Sequence, residues 1–121
     1  MDLSISQMLQ LQKELFEAHG KKWSPMEPEY GGEFILYMVE EIGEVISIWK
    51  KKGERAIVDD PAVREAFLEE MADVLMYYHE VLLRFHVTQE EISGAYLKKH
   101  DHNMSRNYQK QYEEMFKDGE E

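Results

Sequence analysis

EFILYMVEEIGEVISIWKKK, residues 33–52, decides how the chain is read. Its apolar residues recur at steps of three and four, the period of a helix, and Gly53 ends it. Ile35, Met38, Val39, Ile42, Val45, Ile46 and Trp49 form one apolar stripe, which reads as core. A second stripe runs beside it through Phe34, Tyr37, Glu41, Glu44 and Ile48. Two acids therefore stand among apolar neighbours rather than on a plainly solvated face.

Upstream, Ser4 and Gln7 have the spacing of a capping box and open a helix over 4–19. That helix carries Met8, Leu11, Leu15 and Ala18 and stops at Gly20. KKWSPMEPEYGG, 21–32, has two prolines and two glycines and reads as an irregular loop. Downstream, a charged connection leads to Asp60-Pro61, an N-cap followed by proline at the first helical position. The spacing predicts a helix over 61–86, with Val63, Phe67, Val74, Tyr78, Val81 and Phe85 as its core stripe. Thr88 and Glu91 form a second capping box and open a last helix over 88–103. No strand of comparable quality can be read, so the expected class is all-α, with one domain over 1–107 and a polar acidic tail over 108–121.

With 121 residues the chain can build one modest core. It has no cysteine, which excludes disulfides and thiolate metal sites. A formal net charge of −11 disfavours DNA, RNA and anionic membranes as partners. No apolar run reaches the ~20 residues of a membrane span. MDLSISQMLQ lacks the basic start of a signal peptide, so the cytoplasm is the expected compartment.

The third helix sharpens the question of the acids. Glu70 falls at the edge of its core stripe, next to Val74 and Tyr77, and Asp73 lies one step further round. A carboxylate among apolar groups is costly unless paired or metal-bound. Salt bridges are one explanation, with Lys50, Lys51, Lys52, Lys98, Lys99 and Arg106 as possible partners. Yet two helices each present two acids at i, i+3. If those faces meet, four negative charges converge, and a hard divalent cation with oxygen ligands is the natural way to hold them. Mg²⁺ fits that ligand set best. A di-iron carboxylate bundle would need Glu-x-x-His, and no glutamate here has a histidine three residues later.

Three elements occur in order along the chain: Glu40-Glu41-Ile42-Gly43-Glu44, then Glu70-Met71-Ala72-Asp73, then Lys99 followed by Asn103 and Arg106. Together they resemble the MazG-like all-α nucleoside triphosphate pyrophosphohydrolases, over roughly residues 30 to 108. The resemblance implies a four-helix bundle assembled as a dimer or tetramer. It implies Mg²⁺-dependent hydrolysis of an NTP or dNTP to the monophosphate and pyrophosphate, with Mn²⁺ as a substitute ion. Carried over by residue, Glu41, Glu44, Glu70 and Asp73 are metal ligands, Glu40 either holds a further Mg²⁺ or orients the water, and Glu40 or Glu44 is the group that would deprotonate it. Lys99, Asn103 and Arg106 contact phosphates. Tyr77, one turn beyond Asp73, and Trp49, five residues after Glu44, resemble the nucleoside pocket of the dCTP pyrophosphatase branch.

Plainer roles stand beside these. Trp49 can be ordinary core, Asn103 a helix cap, Lys99 and Arg106 solvated charges, and Trp23 an apolar plug under the loop. The five histidines match no catalytic spacing. Relatives in the same superfamily act on phosphoribosyl-ATP, dUTP or dCTP, and the motifs do not separate these substrates. A non-catalytic, metal-binding helical oligomerisation module is the alternative of a different class. Apolar residues on two sides of the 33–52 helix also point to a homo-oligomer, since four helices cannot easily cover both.

Overall fold

The computed structural model describes residues 1–106 and 113–116, so the expected tail over 108–121 lies largely outside the described residues. The described residues are helical with no strand, in the order α1 (Ile5–His19), two 3₁₀ turns (Gly20–Lys22 and Pro28–Tyr30), α2 (Gly31–Lys52), α3 (Glu54–Asp59), α4 (Pro61–Arg84) and α5 (Gln89–Ser105). None of these helices is long and apolar enough to cross a membrane. The chain forms two compact units, Met1–Gln89 and Glu90–Glu121.

The expected helix starts follow from their caps. Ser4 Oγ accepts from the Gln7 backbone N–H at 3.1 Å, and Gln7 Oε1 accepts from the Ser4 N–H at 2.7 Å. The Asp60 carboxylate accepts from the N–H groups of Ala62 at 3.0 Å and Val63 at 3.5 Å, satisfying donors that a helix start leaves open.

Several details differ from the sequence reading, among them the end of α5, at Ser105 rather than 103. Helix α2 starts two residues earlier, at Gly31. A Cβ there would lie 2.4 Å from the Phe85 ring, so only glycine lets the backbone approach the end of α4 this closely. The charged connection is helical as α3, set off by Gly53 with φ 84° and ψ 165°, a conformation open to glycine. Helix α4 ends at Arg84 rather than 86. His86 has φ 57°; its N–H donates to the Leu83 carbonyl at 3.1 Å, and the Val87 N–H donates to that of Leu82 at 2.8 Å. These two bonds make a Schellman cap with histidine in the left-handed position. Replacing His86 by glycine removes the Cβ strain and should stabilise the chain by about 1 kcal/mol, read as a higher midpoint in thermal or urea unfolding.

In the first unit α4 lies along α2, and α1 and α3 pack against α4. The apolar core is thin: among the described residues, Leu9 and Leu82 are the buried hydrophobic ones. Buried with them are Gln12, His79, Glu80 and Arg84. His79 makes its ring bond to the Leu75 carbonyl at 2.7 Å. The α2 stripe read as core is divided: its Met38 and Val45 are partly buried and the rest is open. Ile35, Val39, Ile42, Ile46 and Trp49 are all exposed, Val39 by 57%. The partly buried face runs between the two stripes, with Met38 and Val45 from one and Phe34, Glu41 and Ile48 from the other, while Tyr37 and Glu44 are exposed. On α4, Val63, Phe67, Val74 and Val81 are partly buried as expected, whereas Tyr78 and Phe85 are exposed.

Candidate functional site

Helical periodicity alone puts Phe34, Tyr37, Glu41 and Glu44 near one side of α2, and Glu70, Asp73 and Tyr77 on one side of α4. Packing α4 along α2 brings these sides together. One carboxylate oxygen each from Glu41, Glu70 and Asp73 lies within 4.8 Å of the others. All three residues are partly buried. The ion pairs that the described residues show, Arg55–Asp59 and Arg84–Glu80, leave Glu40, Glu41, Glu44, Glu70 and Asp73 out.

The electrostatics record this lack of neutralisation. The Glu70 carboxyl is held above its ordinary value of 4.5, by burial first, then by its hydrogen bond with Glu41 and the charges of Asp73, Glu41 and Glu44. Glu44 is thus close enough to act on Glu70, though it is exposed and stands outside the group of three. The Tyr77 phenol is also raised, by burial first and then by Glu41 and Asp73 among other groups, so it keeps its proton and remains a donor at neutral pH.

A raised carboxyl has a signed consequence for stability. The folded, metal-free chain holds the Glu70 proton at higher pH than the unfolded chain does. The contribution of Glu70 to stability therefore falls as pH rises from about 4.5 through the raised folded-state value, and is regained on acidification. Glu70→Gln should raise the melting temperature of the metal-free protein at neutral pH and lessen its gain on acidification. Paired thermal melts from about pH 4.5 to 7.5 measure both.

Beside the acids opens a cavity of about 490 Å³, within the range of small-molecule sites. Asp73 borders both. Aromatic rings form much of its wall: Phe34, Tyr37 and Tyr77 lie with centroids 5.3 to 6.2 Å apart, and Trp23 stands against Phe16 at 6.0 Å. Gln12, Lys22, Ser24, Glu33 and Glu80 supply polar groups.

The remaining sequence-predicted residues are placed as follows. Glu40 is exposed on α2 and its charge reaches Tyr77. Trp49 does not line the cavity; it is exposed, and its indole N–H donates to Glu54 at 2.6 Å. Lys99 and Asn103 share a small hollow on α5 with Tyr96 and His100. Arg106 follows α5, its backbone N–H donating to the Asn103 carbonyl at 3.4 Å. Sequence reasoning did not find Gln12, Lys22, Glu80 and Arg84. For the last two a signal existed: opposite charges at i, i+4 within the run VLLRF and the residues before it. Trp23, read as a plug, borders the cavity.

Compared with protein-family models, curated proteins and solved structures, the chain matches none.

Proposed function

We propose that this chain is a Mg²⁺-dependent nucleoside triphosphate pyrophosphohydrolase of the MazG-like kind, converting an NTP or dNTP to its monophosphate and pyrophosphate. The observation that carries the reading is a group of three carboxylates from two helices, without a basic partner among the described residues, that shares Asp73 with an aromatic cavity. The donor set fits the ion: oxygen ligands only, close together, with a charge repulsion that a cation would relieve.

Glu41, Glu70 and Asp73 would hold the cation, with Glu44 one turn along α2 as a further ligand. Mg²⁺, or Mn²⁺ in its place, supplies Lewis acidity and charge neutralisation at the triphosphate when bound. Glu40, exposed beside this group, takes the proton of the attacking water as the α–β phosphoanhydride bond breaks and pyrophosphate departs; Glu44 is the other candidate for that role. Phe34, Tyr37 and Tyr77 offer faces to the nucleoside, and the protonated Tyr77 hydroxyl donates a hydrogen bond. Lys99, Asn103 and Arg106 are proposed phosphate contacts, and Trp49 a nucleoside contact that another copy of the chain would present.

The open stripe on α2 supports an assembly. Ile35, Val39, Ile42, Ile46 and Trp49 are spaced four, three, four and three residues apart, the pattern of a helix–helix seam. We propose a four-helix bundle unit that dimerises or tetramerises through this face. A monomer mass in light scattering at micromolar concentration would contradict it.

The deciding experiment is pyrophosphate release from a panel of nucleoside and deoxynucleoside triphosphates and phosphoribosyl-ATP, with Mg²⁺, with Mn²⁺ and with a chelator. Metal-dependent release from at least one nucleotide is expected. Stabilisation by Mg²⁺ without release from any of them would leave a non-catalytic metal-binding module.

A further inference from the structure

The cavity has a back wall built on one cation. Arg84 and Glu80 are fully buried. Arg84 Nε donates to Glu80 Oε1 at 2.9 Å. Its Nη1 donates to Ser24 Oγ at 3.0 Å and to the Pro25 carbonyl at 2.6 Å, and its Nη2 donates to the Ser24 carbonyl at 3.1 Å. The guanidinium also lies 3.8 Å from the centroid of the Phe34 ring. The second oxygen of Glu80 accepts from Gln12 Nε2 at 2.9 Å. One side chain thus joins α1, α2, α4 and the irregular segment after α1.

The distribution of these bonds is informative. Glu80 accepts from Nε alone, and a guanidinium with no exposure must place its remaining N–H groups on other acceptors. Arg84 directs its other donors at Ser24 and Pro25, whose stretch has short local backbone bonds, Trp23 N–H to Gly20 and Glu27 N–H to Pro25. Gln12, Trp23, Ser24, Phe34 and Glu80 all line the cavity, and Arg84 does not. A lysine could not repeat the arrangement, because a point charge cannot replace a planar fork that serves four acceptors.

We infer that Arg84 is a positioning residue: by clamping Ser24 and Pro25 onto the α2–α4 pair it fixes Trp23 as a wall of the ligand cavity, without touching the ligand. The inference rests on the nucleotide reading for its kinetic consequence and on the geometry alone for its effect on Trp23.

The test compares wild type with Arg84→Lys, both shown to be folded by circular dichroism. Two readouts are taken. In pyrophosphate release, KM should rise about tenfold or more while kcat changes less than about threefold, as expected for lost uniform binding. In a Trp49→Phe background, where Trp23 is the remaining tryptophan, acrylamide quenching should increase and emission shift to the red. A merely structural Arg84 would lower the melting temperature yet leave KM and Trp23 quenching as in wild type; that result, or a fall in kcat alone, overturns the inference. If wild type releases no pyrophosphate, the nucleotide reading fails while Trp23 quenching still decides the clamp. Should Arg84→Lys not fold, Glu80→Met/Arg84→Met, which removes both charges together, carries the same two readouts.

Discussion

Glu41→Gln and Asp73→Asn are each expected to lower metal-dependent pyrophosphate release by at least about 100-fold, with the helices intact. Losing a group that merely orients a metal ligand costs about 10- to 100-fold in affinity or activity, so losing a direct ligand should cost no less. Each substitution keeps the side chain's size and removes one negative charge. The effect should therefore fall on the cation and not on packing. The metal-free variants should melt no lower than wild type, because a repulsion within the group Glu41, Glu70 and Asp73 is relieved. They should also lose most of the melting-temperature gain that Mg²⁺ gives wild type. Activity near the wild-type level in either variant would remove the ligand assignment, whatever the nucleotide.

Glu80→Ala is expected to destabilise the chain by about 3–5 kcal/mol, the usual cost of stranding one member of a buried ion pair. Arg84 would keep its charge with no anion beside it, and Gln12 would lose the acceptor of its 2.9 Å bond. At the scale of a domain of 60–100 residues this lowers the melting temperature by roughly 12 °C or more. The surface pair Arg55–Asp59 has the same i, i+4 spacing, but its side chains are 79% and 67% exposed. Asp59→Ala should shift stability by no more than about 0.5 kcal/mol. Urea unfolding of the two variants side by side measures the contrast. Similar losses in both would mean that Glu80 and Arg84 are far better solvated than the structure has them.

Local signals were the readable part of the fold. Ser4 with Gln7, and Asp60 with Pro61, act within four residues, and both helices start where these side chains cap them. The acids were readable for a related reason: helical spacing fixes that Glu41 shares a side with Phe34 and Tyr37, and that Glu70 and Asp73 share one with Tyr77. What the spacing could not fix was which of two adjacent apolar stripes on α2 would meet α4. The Ile35–Trp49 stripe is the more hydrophobic and was read as core, yet only its Met38 and Val45 are partly buried, beside Phe34, Glu41 and Ile48 of the acid-bearing stripe. Choosing between them requires knowing which surface of α4 each would meet, which the periodicity of one helix does not contain. The Glu80–Arg84 pair has a local spacing, but the clamp that Arg84 makes was hidden for another reason. Its partners Ser24 and Pro25 lie about sixty positions away in an irregular stretch, and no local pattern announces such a contact.

The scarcity of buried hydrocarbon, Leu9 and Leu82 among the described residues, bears on how this protein behaves on dilution. On the dimer reading, folding and self-association are one coupled equilibrium governed by mass action. The unfolding midpoint then climbs with protein concentration, and thinning the solution acts as a denaturant.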